Sequence, residues 1–191
     1  SMVEKMPGYR IDKYAQLRAL YTYMYSMPGK KLNFMGNEFA QFKEWDYKEG
    51  LEFFMLKFPL HRKFKNFSKK LNNIYKNNPA LFEIEDSWAG FKWIAVDENE
   101  NNVLAFSRFD KRGKKIIAIF NFSGKDLNNY KLGVDKGRYK LLISSDQKIF
   151  GGLGKLKLVK STTVKKCAHN NENSIVINLP RLSGAYLIEN D

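Results

Sequence analysis

The stretch from Lys31 to Gly50, KLNFMGNEFAQFKEWDYKEG, holds the densest mixture of residues able to do chemistry. Glu38, Glu44 and Asp46 can accept hydrogen bonds from hydroxyls, and Asn37 and Gln41 can both donate and accept. Phe42, Trp45 and Tyr47 offer flat apolar faces, the last two with a polar edge. The mixture suits a sugar, whose CH faces are apolar and whose rim is hydroxyl. Glu38, Gln41, Glu44 and Trp45 are therefore candidate substrate-binding residues. The alternative is a loop that packs its aromatics under neighbouring helices and leaves its carboxylates in water. Composition alone favours that alternative, because a pocket needs a convergence of groups that spacing does not show.

The elements that must position this stretch follow from periodicity. From Arg10 to Ser26, Tyr14, Leu17, Leu20, Tyr21 and Met24 fall on one helical stripe, with Asp12 in the first turn, and Met27-Pro28-Gly29 stops it. The spacing makes Tyr14, Tyr21, Tyr23 and Tyr25 helix-packing residues rather than a stacking platform. Met2 to Tyr9 reads as an irregular lead-in. Lys30 to Met35 reads as a short buried strand that runs into a turn at Gly36. Leu51 to Phe58 reads as a short helix. Pro59 then opens a longer one, in which Leu60, Phe64, Phe67, Leu71, Ile74 and Tyr75 share a face opposite Lys63, Lys65, Lys69, Lys70 and Lys76. Asn77-Asn78-Pro79 ends it. A strand between helices, with a polar loop at its C-terminal end, is the unit of an α/β barrel, whose sites lie on such loops.

At Pro79 the texture changes to short β-rich runs between polar turns. Strands are predicted at Phe91–Val96, Val103–Phe109, Lys115–Phe122, Tyr130–Val134, Tyr139–Ser144, Ser174–Leu179 and Gly184–Ile188. Their spacing predicts an antiparallel sandwich. The run from Ile116 to Phe122 is apolar on both faces and predicts a central strand. Trp93, in an alternating strand, reads as a core residue. Ile149 to Thr163 reads as a flexible surface loop. Its Gly151-Gly152-Leu153-Gly154-Lys155 fails as a phosphate loop, since the glycine spacing is wrong and Leu156 stands where a hydroxyl residue is needed.

Composition narrows the function classes. The chain has 191 residues, 43% hydrophobic and 15% aromatic, enough for a packed core. No apolar run approaches the ~20 residues of a membrane span, and no secretory segment opens the chain. One cysteine, Cys167, makes no internal disulfide, and two histidines, His61 and His169, make a poor metal site. No cofactor or metal is expected, and the location expected is cytoplasmic. The net charge of +13 raises nucleic acid as a partner. The lysines are scattered, however, and arginines are few, which predicts salt-sensitive adhesion to polyanions without specific nucleic-acid recognition. Neither a membrane nor a specific nucleic-acid partner is expected. Ser1-Met2 reads as the remnant of a cleaved tag ahead of a chosen start, hence a piece of a longer protein; a processed natural terminus would look the same.

Four blocks carry a resemblance to a known family: Lys5-Met6-Pro7-Gly8; Pro28-Gly29-Lys30-Lys31 followed by Phe34-Met35-Gly36-Asn37-Glu38-Phe39; Gln41 with Glu44-Trp45; and Leu71-Asn72, Tyr75 and Pro79-Ala80-Leu81. In this order they resemble the C-terminal part of 1,4-α-glucan (glycogen) branching enzymes of the α-amylase superfamily, glycoside hydrolase family 13. Phe91-Lys92-Trp93-Ile94 and Asn121-Phe122-Ser123 resemble strands of that superfamily's C-terminal β-domain. The match weakens beyond about residue 145, and Ala40 stands where the family usually has glycine.

The resemblance implies an α+β chain: residues 1–79 as the last strand and helices of a (β/α)8 catalytic barrel, residues 80–191 as an all-β domain. It implies α-glucan as the partner and Trp45 as a stacking surface in a glucan subsite. Retaining glycosyl transfer needs a nucleophilic carboxylate and an acid/base about 5–5.5 Å apart. In the family these follow earlier barrel strands, so no catalytic residue is assigned in this chain and it is expected to be inactive alone. A barrel end without its other strands exposes apolar faces. That predicts self-association, a swapped arrangement, or disorder in the first fifty residues.

Overall fold

The computed structural model describes residues 1–190. Three helices come first: α1 (Met2–Lys5), a single turn that buries Val3; α2 (Arg10–Ser26); and α3 (Pro59–Asn77). Eight strands follow: β1 (Phe91–Glu98), β2 (Val103–Phe109), β3 (Lys115–Asn121), β4 (Leu127–Gly133), β5 (Tyr139–Ser144), β6 (Lys157–Val164), β7 (Ser174–Leu179) and β8 (Ser183–Glu189). They form two sheets, ordered β1-β2-β3-β8-β5 and β4-β7-β6, with every strand pair antiparallel. The predicted sandwich is thus present.

The two-faced apolar pattern of β3 has a direct cause. Ile116, Ala118 and Phe120 point to a core shared with the helices, whereas Ile117 and Ile119 point between the sheets. β8 divides in the same way, with Tyr186 on the helical side and Ala185 and Leu187 in the sandwich. From α2, Tyr14, Leu17, Tyr21 and Tyr25 enter the helical core, and α3 adds Phe64, Phe67, Leu71 and Ile74. Each fully buried side chain of this size contributes about 1.5–3 kcal/mol. Gly184 permits the close approach of β8: a Cβ there would lie 2.6 Å from Phe120 Cδ1 and 3.4 Å from Thr22.

Two buried cations tie helix to sheet. Arg108 on β2 donates to the carbonyls of Ser26 (2.7 Å), Gly90 (3.0 Å) and Ile84 (3.0 Å). Arg18 on α2 donates to Ser145 O at 2.7 Å, and burial lowers its pKa to about 10. The Tyr186 hydroxyl donates to Thr22 O inside α2.

Three expectations are corrected. Lys30 to Met35 is extended, but it is not a strand, because no described residue offers it a ladder partner. Residues 149–163 are not a flexible loop. They begin within a 3-10 turn, Lys148–Phe150, that buries Phe150 against Phe67 (centroids 5.4 Å), and include most of edge strand β6. The glycine run wraps around Asp146, whose carboxylate accepts from the backbone N–H groups of Leu153 (2.8 Å), Lys155 (2.6 Å) and Leu156 (3.1 Å). The anion held by this cluster of amides is the chain's own. Trp93 is not core either; it is 37% exposed on the edge strand β1. α2 is docked against β8 and β3. No helix among the described residues is long and apolar enough to cross a membrane.

Candidate functional site

The polar loop begins at Gly36, whose φ of 84° is left-handed. A side chain there would also meet Gln41 Oε1 at 2.8 Å, so both backbone and space require glycine. A 3-10 turn, Asn37–Phe39, follows, and then Ala40 at φ 58°. A residue with a Cβ is strained in this region.

Gln41 does not face solvent. It is 4% exposed, its Oε1 accepts from Glu52 N at 2.9 Å, and its Nε2 donates to Lys43 O at 3.1 Å. Its amide staples the loop into shape and has little left to offer a ligand. Glu44 is exposed; the Ser1 amino group (2.6 Å) and Lys5 Nζ (3.0 Å) draw its carboxyl below the usual range. Glu38 is half-buried in the 3-10 turn, and its carboxylate has no hydrogen-bond partner among the described residues. Trp45 is 48% exposed and packs edge-on against Phe34, centroids 5.2 Å apart. Asp46 turns inward on its own loop, accepting from Lys48 N at 2.9 Å. The structure thus brings Trp45 and Phe34 to one surface and leaves Glu38 unpaired on the turn, while Gln41 and Glu44 are engaged within the protein.

Sequence reading missed what holds this loop from behind. The single Tyr21 O–H lies within reach of two acceptors, Asn37 O (3.2 Å) and Asn33 Oδ1 (3.3 Å). His61 Nδ1 lies 3.0 Å from Phe39 O, and Tyr14 OH lies 3.0 Å from His61 Nε2. The available signal was a histidine three residues before Phe64 on the apolar face of α3, a polar residue where that face calls for none. A second aromatic surface lies on the β-domain. Trp88, 78% exposed, and Trp93 flank Phe91 beside a groove of about 340 Å³ edged by Glu85 and Asp86. No cluster of groups able to hold a metal occurs among the described residues.

The profile of the family described as alpha amylase, C-terminal all-beta domain, matches residues 93–188, from Trp93 on β1 to Ile188 on β8. The chain belongs to this family. As an amylase-type C-terminal domain with helices packed on its larger sheet, it has relatives along nearly its whole length. It is 41% identical to the 1,4-alpha-glucan branching enzyme GlgB of Butyrivibrio fibrisolvens, covering 94% of this chain and 28% of that protein. It is also 41% identical to the GlgB branching enzyme of Aquifex aeolicus, covering 98% of this chain and 30% of that one. The chain therefore spans less than a third of the length of these curated relatives. Among solved structures, the catalytic module of the glycogen-degrading pneumococcal virulence factor SpuA aligns with a TM-score of 0.65 at 11% identity, covering 95% of this chain and 32% of that one. Group B Streptococcus pullulanase SAP aligns at 0.58 and 12%, covering 94% and 28%. At these identities the likeness concerns the fold.

Proposed function

We propose that this chain is the C-terminal part of a cytoplasmic glycogen branching enzyme, which cleaves α-1,4-glucan chains and transfers them to a 6-hydroxyl as α-1,6 branches. The observation that carries this reading is the 41% identity to two branching enzymes over 94–98% of the chain. Residues 1–79 would supply the final strand position and helices of the catalytic barrel, and residues 80–191 would brace them. The extended, unpaired segment Lys30 to Met35 supports this reading, since a neighbouring barrel strand would complete its hydrogen bonds. Leu32, Phe34, Met35, Phe53, Phe54 and Phe58 are all exposed, as expected of a face that other barrel elements cover.

In this reading Trp45 stacks on a glucosyl ring, Glu38 and the exposed Glu44 receive hydroxyls, and Gln41 acts by holding the loop. The transfer needs two carboxylates about 5–5.5 Å apart. None is assigned here, so the chain alone is inert and the residues that break the glycosidic bond lie elsewhere in the longer enzyme. The test is Trp45→Ala in that longer enzyme, read by the length distribution of transferred chains after debranching. An altered distribution supports the assignment, and an unchanged one removes Trp45 from the subsite.

A second reading, glucan binding by the β-domain itself, is favoured by Trp88 and Trp93 on their shared groove. Affinity electrophoresis in glycogen gels separates the two. Retardation lost in Trp88→Ala and Trp93→Ala supports binding by the β-domain, and free migration of the parent chain leaves bracing as its role.

A further inference from the structure

Among the described residues no strand pairs with the loop that carries Trp45, and side chains from the helices brace its backbone from behind. One of these connections runs through the buried imidazole of His61. His61 Nδ1 lies 3.0 Å from Phe39 O, and a carbonyl can only accept, so Nδ1 carries the hydrogen. The Tyr14 hydroxyl lies 3.0 Å from Nε2 and 3.2 Å from Nδ1, so it faces the ring between the two nitrogens and packs against the imidazole. Tyr14, His61 and Phe39 are all buried. Burial, the largest influence, lowers the His61 pKa and favours the neutral ring; Arg10 acts in the same direction, and the Phe39 carbonyl opposes it. The same imidazole meets the loop a second time, edge-on to Phe42 at 4.7 Å. Both loop contacts lie outside α3, so the histidine serves the loop and not its own helix.

We infer that His61, backed by Tyr14, is a positioning residue that fixes the turn at Phe39 and through it the presentation of Trp45 to glucan. This rests on the proposed role of the loop as a glucan-facing surface. Sequence position makes the route short: Phe39 is followed by left-handed Ala40, by Gln41 with its staple to Glu52, and then by Phe42 under the imidazole. Movement of the Phe39 carbonyl therefore propagates into the backbone leading to Trp45.

The test uses two substitutions at one site. His61→Leu keeps the volume and loses the bond to Phe39 O, whereas His61→Asn places an amide N–H near the Nδ1 position and can still reach Phe39 O. Amide exchange of the 191-residue chain is followed by mass spectrometry over peptides spanning residues 34–47. In the longer branching enzyme, amylose kinetics are measured beside Trp45→Ala. The leucine variant is expected to speed exchange in the loop and not in the β-domain, and to raise KM for amylose about tenfold with kcat little changed. The asparagine variant is expected to recover both. Should His61→Leu fail to fold, Tyr14→Phe, which leaves the imidazole in place, is read in the same way. Unchanged loop exchange, or equal damage in the leucine and asparagine variants, overturns the proposal. If Trp45→Ala impairs branching but neither His61 variant does, the positioning role is wrong and the glucan role of the loop survives. If Trp45→Ala has no effect, the glucan role itself falls and the positioning role falls with it.

Discussion

Arg108→Met should be among the most damaging single substitutions in the chain, and its cost can be worked from contacts. The change keeps an aliphatic stem and deletes a fully buried guanidinium. Three buried carbonyl oxygens, of Ser26, Ile84 and Gly90, lose their donor at once. A hydrogen bond to a charged group contributes about 1.5–3 kcal/mol, and an orphaned buried acceptor costs about 1–3 kcal/mol. Against this stands the desolvation of the guanidinium, which is large enough to depress its pKa and is relieved by several kcal/mol when the charge is removed. The net loss expected is about 2–4 kcal/mol. With a urea slope of ~2 kcal/mol/M for a small protein, the unfolding midpoint falls by about 1–2 M. Because Ser26 is the last residue of α2, exchange should also rise across the end of that helix and the extended segment after it. A loss below about 1 kcal/mol, or unaltered exchange there, would refute the argument that Arg108 locks the helices to the sheet.

Other outcomes follow from the same coordinates. Gly184→Ala should lower stability by about 1–3 kcal/mol, because its Cβ would sit 2.6 Å from Phe120 Cδ1; an unchanged melting temperature would show that Phe120 can yield. His61 has a lowered pKa in the fold and an ordinary one near 6.5 when unfolded, so its contribution is complete above about pH 6.5 and is lost as pH falls towards the folded value. Urea midpoints taken between about pH 7 and pH 5 should fall more steeply in the parent chain than in His61→Leu, and equal slopes would contradict this. The chain as given should self-associate through the exposed face that includes Leu32, Phe54 and Phe58. Replacing these three by Ser should shift light scattering towards the monomer, and a parent chain already monomeric would count against it.

Much of the fold could be read from the sequence because its signals are local. β2, β5 and β7 fall where alternation or β-branched runs put them, and α2 and α3 begin and end at their turn residues. β6 escaped because an edge strand keeps its lysines and threonines outward, so it reads as a polar run. Trp93 misled because alternation gives the face of a strand but not whether a neighbour covers its edge. Lys30 to Met35 misled because its apolar pattern suits a buried strand, while pairing depends on a partner absent from the described residues. At the site, type and position in the loop could only nominate Trp45, which the structure leaves about half exposed. The buried staple of Gln41 and the bond from His61 to Phe39 O were not legible, since they depend on contacts across 11 and 22 positions of sequence.

The most direct measurement exchanges this chain for the matching segment of the Aquifex aeolicus branching enzyme, which covers 30% of that protein, and assays amylose branching by iodine staining. The account predicts that the chimera branches amylose and that the 191-residue chain alone does not. A folded chimera without activity, or robust branching by the isolated chain, would contradict it.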